Sequence, residues 1–477
     1  MDRSVRANGA KIIPTLPIAM AHNAAARERI AHLASLSARF CFAALIVAPM
    51  RLRWTIAARP FEPLFREYTD LFLYASDLFL IATLFFWLAA LALAPRALTI
   101  QPRAQTFLVA VFTIVAVIGI SSSIDAPITI YHAARLALLA VLYFFVVNEI
   151  RSFSFFALPL AIQVAMQSVI AFAQVILQHS IGWQSIGELA LDPAQSGISI
   201  VLTDGARILR AYGLTDHPNI LGGALAFGLL ALATIFLNEQ SRRARAGLGA
   251  ICTLGCAALF FTFSRAAWLA FGIANIFYFG FLLITRQKTS ARTLGMLWAI
   301  ALLFIAPLII YNARSVSARL NGDNSLAEIW TEARSLAERA TINRAVIDTI
   351  LNSKLPFWGV GVGALPRALM ENNPQLDSYF QPAHIALLNA FAETGWLGGS
   401  LYAALLAAPF ILLWRTRARI IFSPTLCGAS ALLIAIMIVG LFDYYTWLLA
   451  PGRLWQWIAW GVWAFIYRDA MLIRMEN

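Results

Sequence analysis

Long apolar runs recur along the whole chain and are separated by shorter polar segments. Most of these runs have about 18 or more residues, the length that an α-helix needs to cross a bilayer. The runs are apolar throughout, whereas strands of a membrane barrel alternate apolar and polar positions. The pattern predicts an all-α polytopic membrane protein in which about 12 transmembrane helices form one domain. The predicted spans are residues 31–50, 71–94, 106–122, 129–148, 155–177, 219–237, 246–263, 266–285, 294–311, 384–413, 424–442 and 453–467.

Polar segments divide the chain into four parts. Residues 1–30 form a cytoplasmic lead without the early apolar core of a cleaved signal peptide, and residues 31–311 hold the first nine spans. Residues 312–383 form a large periplasmic loop, which is too long to be a simple connection. Residues 384–477 hold the last three spans and a short cytoplasmic tail.

The large loop contains a predicted amphipathic helix. It begins at Ser325, because Ser325 and Glu328 match the capping-box pattern. Apolar residues with helical spacing predict a buried face, which Asn343 interrupts. The residues of that predicted face are Ile329, Ala333, Leu336, Ala340 and Ile347. Such a helix would lie over the membrane domain or in the membrane interface.

Composition and charge agree with this architecture. Hydrophobic residues make up 60% of the chain and charged residues 13%. The net charge of +12 would suggest a nucleic-acid partner in a soluble protein. Here the basic residues concentrate in alternate polar segments, and this positive-inside bias places both termini in the cytoplasm.

One outer segment breaks the charge rule, since Arg51, Arg53, Arg59 and Arg66 lie between the first two spans. Two interpretations remain open. Either the first span is misplaced, or these arginines bind an anionic ligand on the outer side.

Three polar segments would meet near the outer membrane boundary. The first, residues 210–219, holds Arg210, His217 and Asn219 and leads into the sixth span. The second, residues 264–268, holds Arg265 at a tight turn between the seventh and eighth spans. The third begins at His384, where the tenth span starts. Groups from distant parts of the sequence at one depth are what a site requires.

The residue types in these segments suit diphosphate and sugar chemistry. Arginine stays charged and can hold diphosphate oxygens bidentately. A histidine that is neutral near pH 7 can accept a proton from a hydroxyl nucleophile. The outer loops contain no Asp-x-Asp pair, so a divalent-metal clamp is not indicated, and no cofactor is expected.

Each residue also has a structural interpretation. Interfacial arginines such as Arg210 and Arg265 often cap helix ends, and His217 before Pro218 has the position of a helix start. Asp443 and Arg453 are interpreted as a surface pair. Three glutamines on one face of the fifth span are expected to hold helices together rather than to bind sugar, namely Gln163, Gln167 and Gln174.

The motifs resemble those of the O-antigen ligase and O-antigen polymerase superfamily of bacterial membrane glycosyltransferases. His384 is followed by Ile385, by nine further residues and then by Gly395-Trp-Leu-Gly398, which is the family's spacing. Residues 357–363 resemble its glycine-rich turn, residues 264–268 its Ser-Arg-Gly-Ala-Trp segment, and residues 210–222 its segment around His-Pro-Asn. Ile385 departs from the pattern, since a polar residue is usual there, and this favours a polymerase over a lipid A-core ligase.

The resemblance implies a GT-C-like fold and a metal-independent inverting glycosyl transfer at the periplasmic face of the inner membrane. The partners it implies are a glycan on a polyprenyl (undecaprenyl) diphosphate, a lipid or glycan acceptor, and membrane lipid, in O-antigen or exopolysaccharide biosynthesis. The catalytic residues would be Arg210, Arg265 and His384, and the substrate-binding residues Arg207, His217, Asn219, Gly361 and Gly363.

Two other functions compete with this hypothesis. A flippase or other transporter of lipid-linked oligosaccharide would need ionisable groups across the bilayer midplane, but the spans are poor in charge. A purely structural membrane protein would explain the spans but not the three segments. The sequence leaves ligase and polymerase open, and gives neither the glycan nor the acceptor.

Overall fold

The computed structural model of the chain describes residues 18–203, 205–321, 329–352, 357–373, 376 and 380–476, with side chains at residues 25–203, 205–319, 337–351, 357–373, 376 and 380–472. Helices dominate this part of the chain. They are α1 (Ile18–Val47), α2 (Arg66–Thr69), α3 (Ala75–Leu93), α4 (Arg103–Ile118), α5 (Ala126–Glu149), α6 (Ala157–Leu177), α7 (Pro218–Asn238), α8 (Arg242–Phe261), α9 (Arg265–Ile284), α10 (Lys288–Tyr311), α11 (Ala313–Asn321), α12 (Ile329–Asn352), α13 (Leu365–Asn372), α14 (Ala386–Thr416), α15 (Pro424–Gly440) and α16 (Ala450–Glu476).

Every predicted span coincides with a helix, and the prediction of an all-α polytopic membrane protein is confirmed. Within the described residues, ten helices are long and apolar enough to cross a membrane. They are α1, the eight consecutive helices α3 to α10, and α14. The apolar α15 is shorter, and α16 is not among the ten. The first helix begins at Ile18, inside the segment that was expected to be a lead.

Helix α7 is the centre of the bundle. Nearly all its side chains are buried, because α6, α8, α9, α15 and α16 surround it. Glycines allow this close approach, which is a common device in membrane helices. A Cβ atom at Gly222 would lie 2.9 Å from the Cβ of Ala267 in α9.

Backbone hydrogen bonds show which helix ends lie together. The N–H of Arg51, just after α1, donates to the carbonyl of Leu214, just before α7 (3.1 Å). The N–H of Ala211 donates to the carbonyl of Phe261, where α8 ends (2.9 Å). We call this the loop-rich end, where α1, α6 and α8 finish and α7, α9 and α14 begin.

The opposite end is joined by its own contacts. Asn238 at the end of α7 donates to Thr425 at the start of α15 (3.2 Å). Gln287, after α9, donates to the carbonyl of Phe422, before α15 (2.8 Å). All three polar segments that the sequence singled out therefore lie at the loop-rich end.

Two short antiparallel hairpins lie at the loop-rich end, and the sequence analysis did not predict them. In the first, β1 (Arg53–Ala57) pairs with β2 (Leu71–Tyr74). In the second, β3 (Ile200–Thr203) pairs with β4 (Ala206–Leu209). Both hairpins are too short to show the alternation of apolar and polar residues that identifies longer strands.

The arginines between the first two spans form ion pairs within the protein. Arg51 and Arg53 both contact Asp216, each at 2.9 Å. Arg59 contacts Asp125 at 2.9 Å. These contacts link the first hairpin to the start of α7 and to the start of α5, so three of the four arginines have a structural role.

The amphipathic helix of the large loop is present as α12, but its buried face differs from the prediction. Ala340 and Ile347 are exposed, whereas Ile342, Ala345 and Val346 are buried against α13 and α14. The predicted face was wrong because the helix packs on these two helices through the adjacent stripe, which includes Asn343. The predicted capping box and the side chains of Ile329, Ala333 and Leu336 lie outside the described residues.

Helix α14 is interrupted at Gly395, whose φ of 66° and ψ of −173° are not helical. The carbonyls of Ala392 and Glu393 accept hydrogen bonds from Val360 and Gly361 of the glycine-rich turn, both at 3.0 Å. Buried backbone carbonyls need donors, and the interruption removes those that a continuous helix would supply. The turn and the interrupted helix therefore stabilise each other.

Gly395→Ala is expected to lower stability, because the new Cβ would lie 2.2 Å from the carbonyl oxygen of Phe357 and the residue has positive φ. Backbone strain alone costs about 1–3 kcal/mol. Thermal unfolding in detergent measures the effect. Gly272→Ala is the matched control, since nothing lies within 4 Å of its Cβ position. Equal melting temperatures for the two variants would contradict this account.

Candidate active site

Arg210 lies in the loop between β4 and α7, and the loop-rich end buries it. Its exposed fraction is 4%. Its Nε donates to the carbonyl of Thr262 (2.8 Å) and its Nη2 to Oδ1 of Asn219 (2.8 Å). Burial lowers the pKa of Arg210 to about 10, so the guanidinium remains a cation near neutral pH. Arg210 is thus a fixed positive charge that joins α7 to the end of α8.

Buried glutamines of α6 fix the backbone of this loop. The Oε1 of Gln174 accepts from the N–H groups of Tyr212 (3.2 Å) and Gly213 (2.8 Å). The Oε1 of Gln167 accepts from the N–H of Leu214 (2.8 Å). The prediction that these glutamines hold the structure together agrees with these contacts, which are made with a loop rather than with another membrane helix.

Asn219 connects Arg210 to an acidic residue. Its Nδ2 donates to Oδ2 of Asp443 at 3.1 Å, while its Oδ1 accepts from Arg210. Asp443 follows α15 and is 8% exposed. The interpretation of Asp443 and Arg453 as a surface pair was wrong, because both residues are buried.

His384 lies beside this relay, just before α14. Its backbone N–H donates to Oδ1 of Asn343 in α12 (3.0 Å), and its ring contacts that of Tyr444, with 5.5 Å between centroids. Its buried Nδ1 makes no hydrogen bond in the described part of the chain. Burial lowers the pKa of His384 to about 4; the charge of Asp443 raises it and that of Arg339 lowers it. The ring is therefore neutral near pH 7, and its Nδ1 has no hydrogen-bond partner among the described residues.

Positive charge accumulates around these groups. Arg265 begins α9, and its Nη1 donates to the carbonyl of Arg319 in α11 (3.3 Å). The Nε of Arg319 in turn donates to the carbonyl of Phe263 (3.1 Å). Burial, followed by the charges of Arg210, Arg265 and Arg339, lowers the pKa of Arg319 to about 9. These four residues form what we call the arginine cluster.

His217 has the structural role that its sequence context suggested. It is the N-cap of α7, and its Nδ1 accepts from the N–H of Asn219 (3.1 Å). Its Nε2 is 2.9 Å from the hydroxyl oxygen of Ser199. Burial, followed by the charge of Arg210, lowers its pKa well below the usual value. His217 is thus a neutral helix cap with both ring nitrogens engaged.

Arg207, Gly361 and Gly363 lie apart from the arginine cluster. Arg207 is exposed on β4 and donates to the carbonyl of Pro193. A Cβ at Gly361 would lie 2.3 Å from the hydroxyl of Ser123, and one at Gly363 would lie 2.1 Å from the ring of His132. The two glycines permit close packing against the start of α5.

A second buried network lies behind the glycine-rich turn. The Oε2 of Glu393 accepts from the N–H of Gly363 (2.8 Å) and from Nε1 of Trp447 (2.7 Å). Arg453 Nη1 lies 3.1 Å from Nδ1 of His132. This network connects the turn to α14, α16 and α5, and so fixes the backbone that leads to His384.

Arg319 and Arg339 were not predicted from the sequence, and neither were the roles of Asp443 and Asn343. Asn343 had a visible signal, since a polar residue interrupts the apolar stripe of α12 at the point that contacts His384. The two arginines had none, because they belong to a loop with basic residues throughout. Among the described residues, no group of three or more His, Cys, Asp or Glu side chains is arranged to hold a metal ion.

Residues 248–403 match the family model described as O-antigen ligase. This segment is an O-antigen ligase domain. It runs from α8 to α14 and includes Arg265, the arginines of the large loop and His384, whereas Arg210 lies before it. The resemblance that the motifs indicated is confirmed over this segment, and the match supports a multi-pass membrane enzyme of the O-antigen ligase and polymerase type. No curated protein matches the chain.

Gln174→Leu is expected to lower the stability of the protein, because the buried N–H groups of Tyr212 and Gly213 would lose their acceptor. Each unsatisfied group costs about 1–3 kcal/mol. Gln163→Leu on the same helix is the control, since neither polar atom of that fully buried side chain has a partner within the described part of the chain. Thermal unfolding compares the variants. A loss of stability in Gln163→Leu that equals the loss in Gln174→Leu would refute the assigned role.

Proposed function

We propose that the protein transfers a glycan from a polyprenyl diphosphate donor to an acceptor hydroxyl in the biosynthesis of O-antigen or exopolysaccharide. The observation that carries this proposal is the convergence of the arginine cluster and the neutral His384 at the loop-rich end. The O-antigen ligase domain supports the reaction class. Undecaprenyl diphosphate is the donor that the family resemblance implies.

The arginine cluster would bind the diphosphate. Each guanidinium can donate two parallel hydrogen bonds to phosphate oxygens. The mutual repulsion that lowers the pKa of Arg319 is relieved when an anion is bound among these cations. As the bond to the sugar breaks, negative charge grows on the leaving diphosphate, and fixed cations in a partly dry site stabilise that charge.

His384 would act as the general base. Its neutral ring takes the proton from the acceptor hydroxyl while the oxygen forms a bond with the anomeric carbon. The bond from that carbon to the diphosphate oxygen breaks, and its electron pair leaves with the diphosphate. Asp443 then stabilises the imidazolium, because its charge favours the protonated ring. Attack opposite the leaving group inverts the anomeric configuration, and this chemistry requires no metal.

The loop-rich end would face the periplasm, with the protein in the cytoplasmic (inner) membrane. Basic residues support this orientation, because they concentrate at the opposite end near the starts of α8 and α10 and after α14. They are Arg242, Arg243, Arg245, Arg286, Lys288, Arg292, Arg415, Arg417 and Arg419. Positively charged loops remain on the cytoplasmic side of a membrane.

His384→Ala and Arg265→Ala are each expected to reduce glycan transfer by a factor of at least about 100, the lower bound for losing a base or a charge-stabilising group. The assay uses protein reconstituted with a defined polyprenyl-diphosphate glycan and several acceptors. Arg207→Ala is the control, because Arg207 is exposed outside the arginine cluster and should retain activity. Transfer by both active-site variants at the wild-type rate would exclude this mechanism. A product of fixed size indicates a ligase, and a ladder indicates a polymerase.

The acid limb of kcat/KM is expected near pH 4 instead of near 6.5, since burial lowers the pKa of His384 to about 4. Asp443→Asn should shift this limb to still lower pH, because it removes the charge that raises the pKa. The unfolded state binds this proton more tightly, so protein stability should decrease as the pH falls from about 6.5 to about 4. A pH–rate profile of both proteins measures the limb. A limb near 6.5 in each would contradict the assignment.

A further inference from the structure

A separate cavity of ≈ 240 Å³ lies at the loop-rich end. It is enclosed by the segment between β1 and β2, the start of α5, and the segment that joins the glycine-rich turn to α13. No member of the arginine cluster lines it. Its polar lining residues are Arg59, Thr69, Asp125 and Arg367, and its aromatic ones are Phe61 and Tyr68.

The charges in this cavity are already compensated. Arg59 donates from Nη2 to both carboxylate oxygens of Asp125, at 2.9 and 3.2 Å. The Nε of Arg367 donates to Glu371 at 2.5 Å. A bound anion would compete with these carboxylates, so the cavity is better suited to a neutral polar molecule.

Two polar atoms in the cavity wall have no hydrogen-bond partner among the residues that the structure describes. They are Nη1 of Arg59 and Oγ1 of Thr69, both buried. Thr69 is only 3% exposed. An unsatisfied buried donor or hydroxyl costs about 1–3 kcal/mol, so a ligand that bonds to these atoms recovers that free energy. Sugar hydroxyls both donate and accept, and can satisfy either atom.

The remaining wall is suited to the flat apolar face of a sugar ring. Phe61 and Tyr68 supply aromatic surface, and the Arg367 guanidinium lies 3.7 Å from the centroid of the Phe61 ring. Sites for drug-sized ligands have about 300–1,000 Å³, so this smaller cavity is the size of a single ring.

The cavity is connected to the candidate base. The hydroxyl oxygens of Tyr68 and Tyr444 are 2.8 Å apart, and the ring of Tyr444 contacts that of His384. Tyr68 therefore lines the cavity on one side and reaches the wall of the active site on the other. A saccharide held in the cavity would be separated from the His384 ring by Tyr68 and Tyr444, so a longer acceptor could reach the base while the diphosphate site stays free.

We propose that this cavity binds a neutral saccharide unit of the acceptor and positions the acceptor hydroxyl for His384. The identification of the occupant as an acceptor rests on the proposed glycosyl transfer. The binding of a neutral sugar rests on the cavity alone.

The kinetic test uses Thr69→Val, which removes the unpartnered hydroxyl and keeps the shape of the side chain. We expect an acceptor KM about five- to tenfold higher, the equivalent of one hydrogen bond, with the donor KM unchanged and no loss of thermal stability. Thr83→Val is the matched control, because its buried hydroxyl donates to Phe79 within α3, away from the cavity. An unchanged acceptor KM in Thr69→Val, or a rise in the donor KM, would overturn the proposal.

A binding experiment separates the cavity from the transfer reaction. Saturation-transfer NMR of the detergent-solubilised protein uses glucose, N-acetylglucosamine and glucuronate as probes. We expect signals from at least one neutral sugar in the wild type and in His384→Ala, and weaker signals in Thr69→Val and Arg367→Gln. Three outcomes would refute the binding of a neutral sugar in the cavity. They are no signal from either neutral sugar, a stronger signal from glucuronate, and equal signals in the wild type and all variants. A retained signal in the wild-type protein without any glycan transfer by that protein would refute only the glycosyl-transfer proposal.

Discussion

The relay from Arg210 through Asn219 to Asp443 is the interaction on which the loop-rich end depends. It joins the loop before α7, the first turn of α7 and the segment after α15. A buried cation is costly unless polar groups replace the water it loses. Here the carbonyl of Thr262 and the side-chain amide of Asn219 replace that water. The carboxylate of Asp443 contacts Asn219 and is thus one step further along the relay. The charge of Arg210 is therefore held in the protein without being neutralised by direct ion pairing with Asp443.

Hydrogen bonds to buried polar groups also fix the surrounding loops. Irregular backbone near a membrane must find its donors and acceptors within the protein. Gln167 and Gln174 supply them for the Arg210 loop, and the interrupted α14 supplies them for the glycine-rich turn. Arg210 and His384, on opposite sides of the large loop in sequence, are thus both carried by backbone that buried side chains or carbonyls fix in place.

The membrane architecture could be predicted from the sequence because the apolar runs directly reflect the bilayer thickness. Arg210, Arg265 and His384 could be singled out because their polar segments fall at the outer ends of predicted spans and match the motifs of one family. The buried face of α12 could not be predicted, because the elements that an imperfect amphipathic helix packs against decide which of its sides is buried. The packing of Ile342 and Val346 against α13 and α14 decided it.

Asp443 illustrates a different difficulty. A carboxylate in a short turn is usually a solvated one, and only the position of Asn219 across the bundle makes it a buried partner. The same applies to Arg319 and Arg339, whose neighbours come from segments far away in sequence. Contacts of this kind follow from the tertiary arrangement, and local pattern carries no information about them.

The interruption of α14 at Gly395 has a consequence for cooperativity. Two carbonyls of the first part of the helix take their donors from the glycine-rich turn, so that part of α14 and the turn form one local unfolding unit. His384 lies immediately before this unit, whereas the part of α14 after Gly395 contacts α4, where the ring centroids of Tyr402 and Phe112 are 5.9 Å apart. Amide exchange in the first part of α14 and the turn should therefore rise and fall together. A partner that loosened the turn would displace His384 while leaving the membrane-embedded helices folded.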